Sequence, residues 1–163
     1  MCLMNLREFL VLAKKDTYAS GRLTDKISKD GAKQLIYENS NLRYADKYFG
    51  HNPFIGNEIV FEDEKIIWGM NYYGFVESLD ISPKEVFDFL KDVLKQVKEE
   101  EPYRGPRYFK NNDFEYFCEP KGTLDKFVGF ERIDYKEKTV YRGEFHGGLV
   151  KEKSPPIILK DTQ

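Results

Sequence analysis

At 163 residues, with 40% hydrophobic, 15% aromatic and 33% charged side chains, the chain has the size and composition of one folded domain and more aromatics than a disordered segment carries. A formal charge of −2, with both signs intermixed, argues against general nucleic-acid binding, which needs a concentrated basic face. The two cysteines, Cys2 and Cys118, lie far apart and lack metal spacing, so they read as free thiols of a reducing compartment and no disulfide scaffold is expected.

No apolar run approaches the roughly 20 residues of a membrane span. Arg7 and Glu8 interrupt the N-terminal apolar run within a few residues, unlike a signal peptide. The expected location is therefore cytoplasmic, with no membrane contact.

In chain order, Leu3, Leu6, Leu10 and Ala13 recur at helical spacing, with Phe9 on the flank. Lys14 and Lys15 follow where cations suit the helix dipole, so a short amphipathic helix is expected. Residues 16–31 are polar and contain Gly21 and Gly31, and read as a loop or flap. From Gln34 the period becomes two, predicting strands at 35–37 and 42–49 around a turn at Asn39-Ser40-Asn41. The second strand puts Leu42, Tyr44, Asp46 and Tyr48 on one side and Arg43, Ala45, Lys47 and Phe49 on the other. A hairpin of 57–61 with 65–75 follows.

Ser82, Pro83 and Glu85 form a capping-box signature, and Val86, Phe89, Leu90, Val93 and Val97 make a helical apolar stripe up to Pro102. Residues 103–112 read as a loop, with strands at 114–119, 126–135 and 139–146 after it. Gly147-Gly148 is expected to end the last strand, and 151–163, with Pro155-Pro156, to form a flexible tail. The expected architecture is a single α+β domain over residues 1–150. It has one mostly antiparallel curved sheet of about six to seven strands, an N-terminal helix and a long central helix packed on it.

Three segments carry candidate chemistry. Strand 68–75 puts Trp68, Met70 and Tyr72 on one face, and Gly69, Asn71, Tyr73 and Phe75 on the other. An amide set among aromatics beside a glycine suits a ligand that needs stacking and a donor–acceptor pair. With Lys136-Glu137 as a two-residue turn, the last hairpin sets Glu131 opposite Arg142, and Arg142, Glu144 and His146 share a face. His146 beside carboxylates suits a general base; alternating charges equally suit a solvated strand face. In Tyr103-Arg104-Gly105-Pro106 an arginine with a restricted backbone can clamp an anion or hold the helix-to-sheet connection. Tyr18, within residues 17–21, belongs to a candidate lid. No P-loop, dinucleotide fingerprint, nucleophile elbow or metal-spaced histidine occurs, so no cofactor and no metal are expected.

Read in order, residues 17–21, the Tyr44-x-Asp46-x-Tyr48-x-Gly50 pattern, Phe54-Ile55-Gly56-Asn57-Glu58, and residues 68–74, 103–106 and 145–148 resemble a family of uncharacterised prokaryotic domains. Members occur alone or fused behind helix-turn-helix transcriptional regulators. The resemblance brings no reaction or catalytic residue; it implies a compact sensing or interaction module that can be coupled to a regulator. Nothing before Leu3 resembles a helix-turn-helix, so direct DNA recognition is not expected.

The reading is a non-catalytic domain that binds or senses a small molecule or peptide. Its pocket is lined by Trp68, or by Asn71 and Tyr73, depending on which face is concave, with Arg104 and His146 near the rim and Tyr18 and Asp46 as further candidates. One alternative is a small enzyme using His146 with Glu144 or Asp46 as acid and base. The other is an interaction module that pairs through a sheet edge, as a homodimer or with a regulatory protein.

Overall fold

The structure is a computed structural model that describes residues 5–17 and 27–151. Tyr18, Cys2 and the tail expected beyond residue 151 lie outside the described residues. The elements run α1 (Leu6–Asp16), β1 (Lys33–Asn39), β2 (Leu42–Gly50), β3 (Phe54–Glu62), β4 (Lys65–Val76), α2 (Pro83–Leu94), β5 (Tyr108–Asn111), β6 (Phe114–Thr123), β7 (Lys126–Tyr135) and β8 (Lys138–Leu149). All eight strands form one antiparallel sheet in the order β1-β2-β3-β4-β8-β7-β6-β5. Two four-stranded meanders, one on each side of α2, thus join where β4 pairs with β8.

This corrects the expected α+β architecture. The described residues are mostly sheet, with eight strands rather than six to seven and two short helices rather than a long central one. The additional strand is β5, placed by sequence in a loop; Asn112, at φ 52°, makes the tight turn that returns it onto β6. The capping box at Ser82 forms as expected, but α2 stops at Leu94. Gln96 and Val97 bond back only three residues, to Val93 and Leu94 O, which tightens the chain out of the α-helix. Three consecutive glutamates, Glu99 to Glu101, would sit against the negative end of the dipole if the helix continued. β8 also runs through Gly147-Gly148 to Leu149 instead of ending there.

Burial alternates along the strands and defines two faces. Tyr44 and Asp46 on β2, Phe54 and Glu58 on β3, Trp68 and Tyr72 on β4, Glu131 on β7 and Tyr141 on β8 are buried on the inner face. Both helices cover that face: the Phe9 ring of α1 lies 5.7 Å from Tyr37, and the Phe87 ring of α2 lies 5.8 Å from Phe54. The outer face is left to solvent, as antiparallel sheets permit.

One irregularity decides what reaches the core. Lys136 and Glu137, at φ 47° and 65°, form the expected two-residue turn, yet the β7–β8 register shifts between Ile133 and Asp134. Beyond that bulge Glu131 faces Gly143 instead of the expected Arg142, and Val128 rather than Phe127 faces His146. A one-residue slip exchanges the faces of a strand. Here it places Phe127, Gly129, Glu131 and Ile133 inside, and Val128 and Phe130 outside.

Candidate functional site

Among the described residues, five Lys, Arg, Asp or Glu side chains are buried against the inner face: Lys14, Asp46, Glu58, Arg104 and Glu131. Charge at such depth is tolerated only when paired and hydrogen-bonded. Arg104, on the connection between α2 and β5, donates from Nε and Nη2 to the Glu131 carboxylate, at 2.8 Å from Nη2 to Oε1. The Tyr116 and Tyr141 hydroxyls donate to the same carboxylate at 2.7 and 2.8 Å. A β-carbon on Gly143 would lie 2.7 Å from Glu131 Oε1, so only glycine leaves room for this carboxylate against β8. Burial alone would raise the Glu131 pKa, but Arg104 and the two tyrosine donors hold it below the usual carboxylate value.

The second cluster joins α1 to the sheet. Lys14 forms a buried ion pair with Glu58 and donates to Tyr103 O at 2.8 Å. Burial, only partly offset by Glu58, lowers the lysine pKa. Beside it the Tyr72 hydroxyl donates to Asp46 Oδ1 at 2.6 Å. Gly56 opens this contact, because a β-carbon there would sit 2.5 Å from the Tyr72 oxygen. Burial, then the negative charge of Glu58, push the Asp46 pKa up to about 7.

Against this floor the inner face keeps a cavity of about 250 Å³, between β1–β4, α2 and the Arg104 connection. Leu35, Tyr48, Phe54, Tyr72 and Phe87 supply its apolar walls, and Lys33, Lys91, Arg104 and His51 its basic groups. His51 is positioned by the β2–β3 connection. There the Asn52 amide exchanges bonds with the Val76 backbone, accepting from N at 2.7 Å and donating to O at 3.4 Å. The His51 ring stands edge-on to Phe87 at 5.3 Å.

The candidates named from sequence divide between the two faces. Asp46 and Arg104 are inside, and Arg104 lines the cavity. Trp68 is fully buried and stacked 5.8 Å from Phe127, a core residue rather than a pocket wall. Asn71, Tyr73 and His146 lie together on the exposed outer face, in an open depression of about 340 Å³, with Asn71 Nδ2 and His146 Nε2 3.3 Å apart. Glu144 shares that face, exposed like His146. Asp46 lies across the sheet from both, so the His146–Asp46 version of the acid–base pair considered from sequence does not assemble, and His146 and Glu144 share an exposed face rather than a cleft. Cys118 is inside, its thiol pKa pushed up to about 12 by burial. His146→Ala is expected to change stability by less than about 0.5 kcal/mol in urea unfolding, as exposed substitutions do.

Lys33, Tyr48, Phe87 and Lys91 were not singled out from sequence, nor was the burial of Lys14, Glu58 and Glu131. A signal existed for the acids: each stands in phase with buried apolar strand positions, as in Phe127-x-Gly129-x-Glu131-x-Ile133.

Residues 46–150 match the model of a family described as a domain of unknown function, DUF5680. The chain belongs to this family. The DUF5680 match spans the cavity residues from Tyr48 to Arg104, whereas Lys33, Leu35 and α1 precede it. No curated protein and no solved structure matches the chain. Among the described residues, no helix is long and apolar enough to cross a membrane.

Proposed function

We propose that this DUF5680 chain is a non-catalytic binding domain whose inner-face cavity takes a small, partly apolar molecule. The observation that carries the reading is a cavity walled by aromatics over a floor of internally satisfied ion pairs. Such pairing fixes the shape of a site in advance, which reduces the ordering cost of binding. At about 250 Å³ the cavity is somewhat smaller than the roughly 300–1,000 Å³ of drug-sized pockets, which suits a metabolite rather than a peptide.

The outer depression supports binding less well, since it is formed by exposed side-chain tips on one sheet face. Sheet-edge pairing is also less favoured. The edge strands are β1, which carries Lys33 and Glu38, and β5, only four residues long. Charge and short length both discourage strand addition. The buried free thiol of Cys118 fits a reducing, cytoplasmic setting. Coupling to a transcriptional regulator, as in the prokaryotic domains the sequence resembles, would give such a sensor its output.

A thermal-shift screen against a metabolite library tests this. A ligand at 100 times its Kd adds about 2.7 kcal/mol. For a domain of this size that raises Tm by roughly 5–10 °C. The shift should vanish in Phe87→Trp, which fills the cavity, and persist in His146→Ala. A library that shifts nothing, or a shift lost only in the His146 variant, counts against the cavity.

A further inference from the structure

We infer that the cavity selects a small amphipathic anion, with one carboxylate or phosphate group held among Lys33, Lys91 and Arg104 and an apolar body against Tyr48, Phe54 and Phe87. This rests on the reading of the cavity as a binding site and adds the charge and shape of its occupant.

The lining is biased in sign. Among the described residues eleven line the cavity, three of them Lys or Arg and one His, and none acidic. The chain as a whole holds 28 acidic against 26 basic residues, so its composition does not produce that bias. The cations also come from three separate places: Lys33 from β1, Lys91 from α2, and Arg104 from the connection to β5. A solvated charged face of one element would not bring them to one hollow.

The neighbouring acids are already engaged. Glu131 is taken by Arg104, Glu58 by Lys14, and Asp46 by the Tyr72 hydroxyl. On α2, Asp88 and Asp92, which flank Lys91, pair with Lys84 and Lys95. Lys33 and Lys91 make no ion pair with a carboxylate among the described residues, and the Lys33 ammonium rests 5.5 Å over the Tyr48 ring.

Arg104 supplies the second, independent observation. The residue is 5% exposed, and Glu131 occupies its Nε and Nη2. The remaining Nη1 has no hydrogen-bond partner among the described residues. A guanidinium presents its nitrogens in a rigid fork suited to carboxylate and phosphate oxygens. A buried arginine that lines an aromatic-walled cavity and keeps one nitrogen outside its ion pair suits an oxyanion beside an apolar group.

Calorimetric titration of the full chain with matched ligands tests the inference. 3-Phenylpropionate and phenethyl phosphate carry the anion as carboxylate and as phosphate; 3-phenylpropionamide keeps the shape without the charge. At least one anion should bind at least tenfold more tightly than the amide, and the better of the two identifies the head group. Lys33→Met and Lys91→Met, each with unchanged Tm, should weaken the anion about tenfold and leave the amide unaffected. Equal or tighter binding of the amide overturns the anion inference and leaves the cavity reading standing. Failure of all three compounds to bind also overturns the inference; the metabolite screen then judges the cavity reading separately.

Discussion

Glu131→Gln is expected to lower stability by about 3–5 kcal/mol, the cost of leaving a buried charge without its partner. The substitution changes one atom and almost no volume, so packing cannot account for the loss. Arg104 would keep its charge at 5% exposure, facing an amide that must both accept from the guanidinium and tolerate two tyrosine hydroxyls as donors. Urea unfolding of the two proteins measures the difference. Glu77→Gln, which breaks the exposed pair with Arg142 at 3.1 Å, is the control and should cost no more than about 1 kcal/mol. Similar small losses for both would mean that Glu131 is not the buried, fully paired carboxylate described above.

The second large effect is a dependence on pH centred on Asp46. Its folded pKa, raised to about 7, exceeds the ordinary carboxylate value, so between about pH 4 and 7 the native chain holds a proton that the unfolded chain has released. Stability contributed by this group is therefore full at acid pH and falls as pH rises toward 7, by at most about 1.4 kcal/mol per pH unit. Glu131 works in the opposite sense. Its lowered pKa gives stability that is lost on acidification, and that contribution is complete above the ordinary carboxylate range.

Asp46→Asn removes the titration while keeping an oxygen to accept from Tyr72. The variant should match the parent below about pH 4 and exceed it near pH 8 by about 4 kcal/mol. Parallel pH curves for the two proteins would show that Asp46 does not titrate in this way.

Local features of the fold were readable because they depend on residues close in sequence. The alternation of β2 follows from one stretch of nine residues, and its buried side carries Leu42, Tyr44 and Asp46 as the period dictates. Ser82 and Glu85 cap α2 across three residues. Sequence pattern fails where the deciding partner is distant. Glu131 is in phase with Phe127 and Ile133, but Val128 and Phe130 make the other face equally apolar, and only the bulge beyond Ile133 decides which face meets the core. The partner that makes the burial of Glu131 tolerable, Arg104, is 27 residues away.

Lys14 shows the same limit. Following Ala13 at the end of α1, it reads as a cation placed for the dipole. It is instead drawn inside by Glu58, 44 residues along the chain. The cavity was illegible for a further reason. Lys33, Tyr48, Phe87 and Lys91 come from β1, β2 and α2, and only the strand order and the placing of both helices on one face bring them together.

Ligand entering the inner cavity perturbs different residues from ligand held in the outer depression. The most direct measurement is amide chemical-shift mapping of the labelled protein during titration with a compound that raises Tm. With the inner cavity occupied, the perturbed amides should cluster around Lys33, Tyr48, His51, Phe87 and Lys91. Perturbations centred on Asn71, Tyr73 and His146 would contradict binding in that cavity.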